Sequence, residues 1–276
     1  MSIFEAFILG LIQGVTEFLP VSSSGHLVIT ENVFQIKESN LAFAVLLHVA
    51  TFFAIVAAYR QTVFMMIKEF GLMVWDLARL KGARLKENKY RRYIVYIIIG
   101  CIPAGVAGIL LEDLFDKIFG SLPIVACTLI LTGFVLLLAE KISGSNSGKL
   151  ENLGWGKSLL VGLFQMCAIM PGLSRSGTTM TGGLVAGLKK EEALEFSFLL
   201  ALPTIAGSAI LKVGDIFETI GTISPLPVIV GFLTALIFGY LSIVLFKAIV
   251  KKGSLLSFSV YCWSVGLIIL LNLGRF

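Results

Sequence analysis

Two short stretches carry nearly all the polar side chains that could do chemistry within otherwise apolar sequence. The first reads Gln13-Gly-Val-Thr-Glu17-Phe-Leu-Pro20-Val-Ser22-Ser23-Ser24-Gly25-His26. Gln13 and Glu17 are four apart and share one face of a helix. Pro20 ends that helix, and the serines supply hydroxyls and a cap for the helix that follows Gly25. Glu17 and His26, flanking a run of hydroxyls, form a candidate acid, base and nucleophile set. The plainer alternatives are a partnered carboxylate at a helix tip and a simple serine cap. An ionisable group inside a membrane segment costs at least ~2.5 kcal/mol, which turns it into a functional hypothesis by default.

The second stretch reads Pro171-Gly172-Leu-Ser174-Arg175-Ser176-Gly177-Thr178-Thr179. A guanidinium is a planar fork of donors suited to phosphate oxygens. Gly172 and Gly177 let backbone amides approach an anion, and a helix start beyond them adds a favourable dipole. The competing reading pairs Arg175 with Glu17 for structure alone, but a lone ion pair does not require the hydroxyls and glycines around it. Glu17, Ser23, His26 and Arg175 are therefore the expected catalytic residues. Gln13, Ser22, Ser24, Gly25, Gly172, Ser174, Ser176, Gly177, Thr178 and Thr179 are the expected substrate-binding residues. The attacking group is Ser23 or Ser22, with His26 exchanging the proton, or else water attacks directly. His48, within Leu46-Leu-His48-Val-Ala-Thr51, reads equally as a core histidine bonded to a backbone carbonyl and as a supporting group behind the site.

These segments need elements to hold them. Hydrophobic residues make up 57% of the 276 residues and charged residues 14%, against roughly 25% charged in a soluble domain. Tyr93–Leu111, Leu122–Ala139, Pro227–Phe246 and Leu255–Leu273 each approach the ~20 residues a spanning helix needs. The fold class is all-α integral membrane. Met1–Gly10 lacks the basic region of a cleavable signal and carries Glu5. The formal charge of +5 comes from basic residues gathered in loops, a topology signal that gives no reason to expect nucleic acid. Cys101, Cys127, Cys167 and Cys262 lie singly in apolar segments, as small packing residues do. With no P-loop, Rossmann or zinc pattern, no organic cofactor is expected. A divalent ion, Mg or Ca, is left with oxygen ligands such as Glu17 plus substrate phosphates.

Basic residues from Arg60 to Arg92 place that stretch in the cytoplasm; within it, Val63–Trp75 reads as an interfacial helix. The acidic turn Glu112–Asp116 and the loop Lys212–Ser224 then fall outside. Setting residue n against n+152 aligns Gly10, Leu11, Gln13, Ser22, Ser24 and Gly25 with Gly162, Leu163, Gln165, Ser174, Ser176 and Gly177. The expected organisation is a single membrane domain, 1–276, with repeats at 1–140 and 157–276 joined by a cytoplasmic linker, 141–156. Each repeat opens with a re-entrant hairpin, at about 8–34 and about 157–188, followed by spanning helices, about six in the whole chain. An odd number of spans per half inverts the second repeat, so the hairpin tips meet near the midplane. Non-helical backbone there must be buried or line a cavity. Two helix amino ends can then converge on one anion.

At these two motifs the chain resembles the bacterial undecaprenyl-pyrophosphate phosphatases of the bacitracin-resistance type. Gln13-X-X-X-Glu17 is similar to that family's (Glu/Gln)-X-X-X-Glu motif, and Pro171-Gly-Leu-Ser-Arg-Ser-Gly-Thr178-Thr179 to its Pro-Gly-X-Ser-Arg-Ser-Gly-X-Thr signature. The resemblance implies hydrolysis of undecaprenyl diphosphate to the monophosphate, which recycles the lipid carrier for cell-wall polymers. It implies a divalent cation, a bacterial plasma-membrane location, a polyprenyl diphosphate substrate among membrane lipid, and bacitracin competing for the substrate rather than binding the protein. The site is expected to open to the extracytoplasmic face, and a homo-oligomer is left open. Gln13 in place of Glu removes one potential metal-binding carboxylate. The rival class is a transporter or flippase of an anionic lipid, which inverted repeats and broken helices fit equally.

Overall fold

The computed structural model of the chain describes residues 1–36, 41–111, 114, 118, 120–144, 146–214 and 224–275. Most of the acidic turn expected at 112–116, and of the loop at 212–224, lies outside them. Eleven α-helices account for most of the described residues: α1 (Ile3–Phe18), α2 (Ser23–Phe34), α3 (Leu41–Ala58), α4 (Arg60–Ala78), α5 (Lys89–Leu110), α6 (Leu122–Ser143), α7 (Trp155–Cys167), α8 (Arg175–Val185), α9 (Lys190–Leu211), α10 (Pro225–Lys252) and α11 (Leu256–Leu271). The chain is an all-α, multi-pass membrane protein. Four helices, α5, α6, α9 and α10, are each long and apolar enough to cross a bilayer. The pair α3–α4, bent by 91°, raises the number to as many as five, and α11 has only 16 residues.

Local chemistry explains the helix ends. A capping box starts α1: the Glu5 N–H donates to Ser2 Oγ at 3.2 Å, and the Ser2 N–H donates to Glu5 Oε2 at 2.7 Å. The helix stops at Phe18 because Pro20 disfavours helical backbone at Leu19, which is extended at φ −65°, ψ 142°. The next helix begins at Ser23, two residues before the glycine expected to precede it. Ser22 acts as its cap, accepting from the Gly25 N–H at 3.2 Å, and this draws Ser23, Ser24 and Gly25 into the first turn.

Between helices, backbones touch at glycines, as befits packing in lipid, where close van der Waals approach replaces the hydrophobic drive. In α1, Gly10 lies against the Gly231 backbone of α10, and a Cβ on Gly14 would sit 2.8 Å from the Ala235 carbonyl oxygen. In α7, a Cβ on Gly162 would fall 2.5 Å from the Gly100 carbonyl oxygen of α5. The first helix of each hairpin thus packs on a helix from the other half of the chain. Against α6, the Trp263 indole of α11 donates to the Ile130 carbonyl at 3.1 Å. Phe18 of α1 meets Phe198 of α9 edge-on at 5.3 Å, so an aromatic core lies directly behind the first hairpin.

The perpendicular helix α4 covers the stretch expected to be interfacial. Buried Arg91 of α5 ties it down, donating to Glu69 at 2.9 Å and Asp76 at 2.8 Å. The rest of the helix leaves Phe64, Ile67, Val74 and Trp75 exposed. The linker is shorter than 141–156 because α6 continues to Ser143. It is also ordered by contacts: Gly148 N–H donates to the Gly187 carbonyl at 3.1 Å, and Leu150 N–H to Glu192 at 2.9 Å.

Candidate active site

Both hairpin tips are built by the same local device. Ser22 caps α2 and Ser174 caps α8; each hydroxyl accepts the N–H three residues on, from Gly25 and Gly177, at 3.2 Å in both cases. The second hydroxyl of each Ser-X-Ser follows: Ser24 lies 3.4 Å from Ser22, and Ser176 3.3 Å from Ser174. The turns before the caps differ. Ser22 itself takes the left-handed φ of 72°, whereas in the second tip that role falls to Gly172 at φ 85°. No side chain fits at Gly172, because a Cβ would overlap the Thr128 hydroxyl and the Val125 backbone. A serine held at positive φ is strained, and such strain gathers at functional turns.

The tips touch. Gly172 N–H donates to Ser24 Oγ at 3.3 Å, and Ser176 Oγ lies 3.4 Å from the Leu19 carbonyl. Arg175 Nη2 donates to Glu17 Oε1 across the junction. The other carboxylate oxygen, Oε2, accepts from Ser23 Oγ at 2.5 Å and Gln13 Nε2 at 3.0 Å. Glu17 is buried, and the Arg175 side chain retains only 18% of its exposure. The buried carboxylate is held here by more than its opposite charge, since Ser23 and Gln13 also donate to it.

This cluster brings together Gln13, Glu17, Ser23 and Arg175 as one unit. Its polar valence is incomplete, because Arg175 Nη1, Gln13 Oε1 and Thr178 Oγ1 are buried without a hydrogen-bond partner. Unpartnered buried polar atoms cost ~1–3 kcal/mol each and call for an explanation. One guanidinium nitrogen therefore holds Glu17 while the other keeps its donors unpaired. Thr179 does not face the cluster in the same way: its hydroxyl donates to the Arg175 carbonyl at 2.7 Å and lies 2.5 Å from Ser197 of α9.

His26 sits at the first tip but is not among the partners of Glu17. Its Nδ1 donates to the Ser22 carbonyl at 2.8 Å, and the Tyr261 hydroxyl of α11 lies 2.7 Å from Nε2, with the rings stacked at 5.6 Å. The imidazole beside Glu17 is that of His48 in α3, with Nε2 3.4 Å from Oε2. Of the two readings the sequence left for His48, the bond to a backbone carbonyl is present, Nδ1 donating to that of Ala44 at 2.8 Å, and the ring also stands beside Glu17.

Other supporting residues went unread in the sequence. Thr128 Oγ1 of α6 donates to the Pro171 carbonyl at 2.7 Å; Thr132 Oγ1 accepts the Ser174 N–H at 3.1 Å and lies 3.4 Å from the Gly172 carbonyl. Their signal was a pair of threonines four apart, on one face of an apolar helix. Tyr261 gave no signal, because its pairing with His26 spans 235 positions of chain.

The donor set suits a hard divalent ion: one carboxylate, a buried amide oxygen without a partner and a serine hydroxyl, with phosphate oxygens to complete the shell. Among the described residues no group of three His, Cys, Asp or Glu side chains is placed to hold a metal. The protein alone therefore provides a partial seat.

Over residues 6–268 the chain matches the family described as Bacitracin resistance protein BacA. A protein of Alkaliphilus metalliredigens named undecaprenyl-diphosphatase is 41% identical over 275 residues, 98% of either chain. One of the same name from Methanobrevibacter smithii is 43% identical over 279 residues, covering 99% of this chain and 98% of its own. A third, from Bacteroides fragilis, is 40% identical over 273 residues, 97% of each.

Proposed function

The chain belongs to the BacA family of bacitracin resistance proteins, and from that premise we propose that it hydrolyses undecaprenyl diphosphate to undecaprenyl phosphate and inorganic phosphate. Curated relatives that match it end to end carry the name of that enzyme. The observation that carries the chemistry is the junction of the tips. A guanidinium with one free buried nitrogen stands on the same carboxylate that accepts a 2.5 Å hydrogen bond from Ser23.

In this reading Arg175, Thr178 and the amides at the start of α8 hold the diphosphate, with Ser174 and Ser176 shaping the turn that presents them. Glu17 draws the proton from Ser23, whose Oγ attacks the terminal phosphorus. The P–O bond to the bridging oxygen breaks, undecaprenyl phosphate leaves, and water then releases phosphate from the serine. Direct attack by a water held on Glu17 is the alternative for the first step. Ser22, Ser24, Gly25, Gly172 and Gly177 keep the tips close enough for both halves to reach one phosphate. His26, held between the Ser22 carbonyl and Tyr261, fixes the turn that presents Ser23, and the proton exchange falls to Glu17. A divalent ion held by Glu17 and Gln13 supplies charge neutralisation to the diphosphate oxygens when bound. Electrostatic positioning dominates, as phosphoryl transfer demands.

The equal caps of the two tips, and the crossed packing of α1 on α10 and α7 on α5, support an inverted repeat at 1–140 and 157–276. With it go a plasma-membrane location, a site open to the extracytoplasmic face and bacitracin acting by taking the substrate. The chain purified in detergent, where no gradient exists, is expected to release inorganic phosphate from undecaprenyl diphosphate, and bacitracin to suppress that release in proportion to the lipid it sequesters. Absence of phosphate release from well-folded protein supplied with Mg2+ or Ca2+ would favour a lipid transporter instead.

A further inference from the structure

The phosphatase chemistry above makes no use of His48, although its ring stands nearer Glu17 than that of His26. Nδ1 lies 2.8 Å from the Ala44 carbonyl oxygen. A carbonyl can only accept, so Nδ1 carries the hydrogen and Nε2 presents its lone pair in the neutral ring. That lone pair is 3.4 Å from Glu17 Oε2. With the ring neutral, two acceptor atoms face one another, and something positive in common, an ion or a proton, must hold them. Ligand atoms each about 2.1 Å from one ion stand about 3.0–3.4 Å apart, between a right angle and the tetrahedral angle. The 3.4 Å separation lies at the tetrahedral end of that range. The ring is also tethered as metal-ligating histidines are, through its second nitrogen to a backbone carbonyl. Its side chain keeps 30% of its exposure, so an ion can reach it.

A second observation at the same place points the same way. Gln13 is fully buried beside Glu17, and its Oε1 has no partner. The amide thus holds an oxygen donor in reserve at the position where the family motif also admits a carboxylate. Arg175 takes the opposite oxygen of Glu17, Oε1, while Oε2, which faces His48, also accepts from Ser23 Oγ and Gln13 Nε2.

We propose that His48 Nε2, Glu17 Oε2 and Gln13 Oε1 form a mixed nitrogen and oxygen seat for a divalent ion at the diphosphate site. The proposal deepens the phosphatase reading, and rests on it only for the phosphate oxygens that complete the shell. A neutral imidazole in the set moves preference from Mg2+ and Ca2+ towards Mn2+ and later transition metals. It adds a ligand atom but no charge, so the seat carries one negative charge where a two-glutamate seat has two.

The test is pulsed electron paramagnetic resonance on Mn2+ added to the full chain in detergent, alone and with a prenyl methylenediphosphonate. Nitrogen coupling to the bound Mn2+ is expected, and it should change to the 15N pattern when the histidines are 15N-labelled. The chain has two histidines, and His26 is committed to Ser22 and Tyr261, so His48 is the expected source. In His48→Gln the coupling should vanish and Mn2+ should bind about tenfold or more weakly, with a smaller change for Mg2+. Adding Gln13→Glu to that variant should restore ion binding through oxygen alone, with Mg2+ now favoured. Wild-type Mn2+ without nitrogen coupling, or coupling that survives His48→Gln, overturns the proposal; the contact with Glu17 is then an ion pair. The wild-type spectrum decides the matter even if a variant fails to fold. Because no hydrolysis enters the measurement, a failed phosphatase assay would count against the other reading alone.

Discussion

Glu17 gathers Arg175 on one oxygen and Ser23, Gln13 and His48 on the other, so the cluster depends on the shape of each partner as well as its charge. Arg175 shows this best. Its Nη2 is engaged and its buried Nη1 is free, so both arms of the fork have separate tasks. A lysine at this position keeps the positive charge but cannot hold the carboxylate and the phosphate together. Arg175→Lys is expected to lower kcat by about 10²–10³-fold, the usual loss for one preorganised donor at a developing charge; turnover within threefold of wild type in a phosphate-release assay would remove Arg175 from the chemistry. Thr132 acts one step back, accepting the Ser174 N–H that anchors the second tip. In Thr132→Val that buried N–H loses its partner, at about 1–3 kcal/mol. The expected result is a lower melting temperature in detergent and a weaker apparent affinity for a prenyl diphosphate. Glu17, Ser23 and Arg175 were legible in the sequence because charge and hydroxyls in an apolar run are conspicuous. Thr132 and Tyr261 were not, because residues of those types are ordinary in spanning helices and only tertiary placement sets them at the site.

The elements were legible to a similar extent, for similar reasons. Apolar runs located α5, α6 and α10 to within a few residues, since length and hydropathy are local properties. Where α2 begins was misjudged, because the cap at Ser22 depends on a positive φ that no composition reveals. The linker after α6 was drawn too long because Ser143 and its neighbours look polar, yet Ser143 Oγ bonds back to the Glu140 carbonyl at 2.9 Å and lets the helix run on. Which helices would touch could not be read at all, although the glycines that permit the contacts stood in the aligned positions. Gly162 is the sharpest case, with the Gly100 carbonyl 2.5 Å from where a Cβ would sit and the Pro103 ring 3.0 Å away. Both neighbours are stiff, so Gly162→Ala should force α7 off α5 and cost about 1–3 kcal/mol, as overpacking does. Because α7 carries the second tip, thermal unfolding and kcat are expected to fall together in that variant. A large drop in unfolding temperature with undiminished turnover would show that α7 can shift without moving Arg175.

At the scale of the molecule, the question is how two dissimilar motifs came to face each other. The tips share their caps, Ser22 to Gly25 and Ser174 to Gly177, yet the first holds the carboxylate and the second the guanidinium. Each hairpin's leading helix packs against the other half, α1 on α10 and α7 on α5, so neither half can assemble its tip alone. An inverted pair of hairpins explains this economically. If both entered from one face, α2 and α8 would leave on that same face; entering from opposite faces, they leave on opposite ones. Residues at the two exits discriminate the cases: Gln35, the exposed C-cap of α2, and Lys149, in the segment that pairs with the exit of α8. With Cys101, Cys127, Cys167 and Cys262 replaced by alanine or serine, Gln35→Cys should react with an impermeant maleimide in intact cells. Lys149→Cys should react only after the cells are opened, as its place beside basic segments predicts. Labelling of both from one side would exclude the inverted arrangement and leave the cross-tip ion pair to be explained by a parallel one. Labelling in the expected order would put the Gln35 exit outside, and with it the mouth of the site where Glu17 meets Arg175.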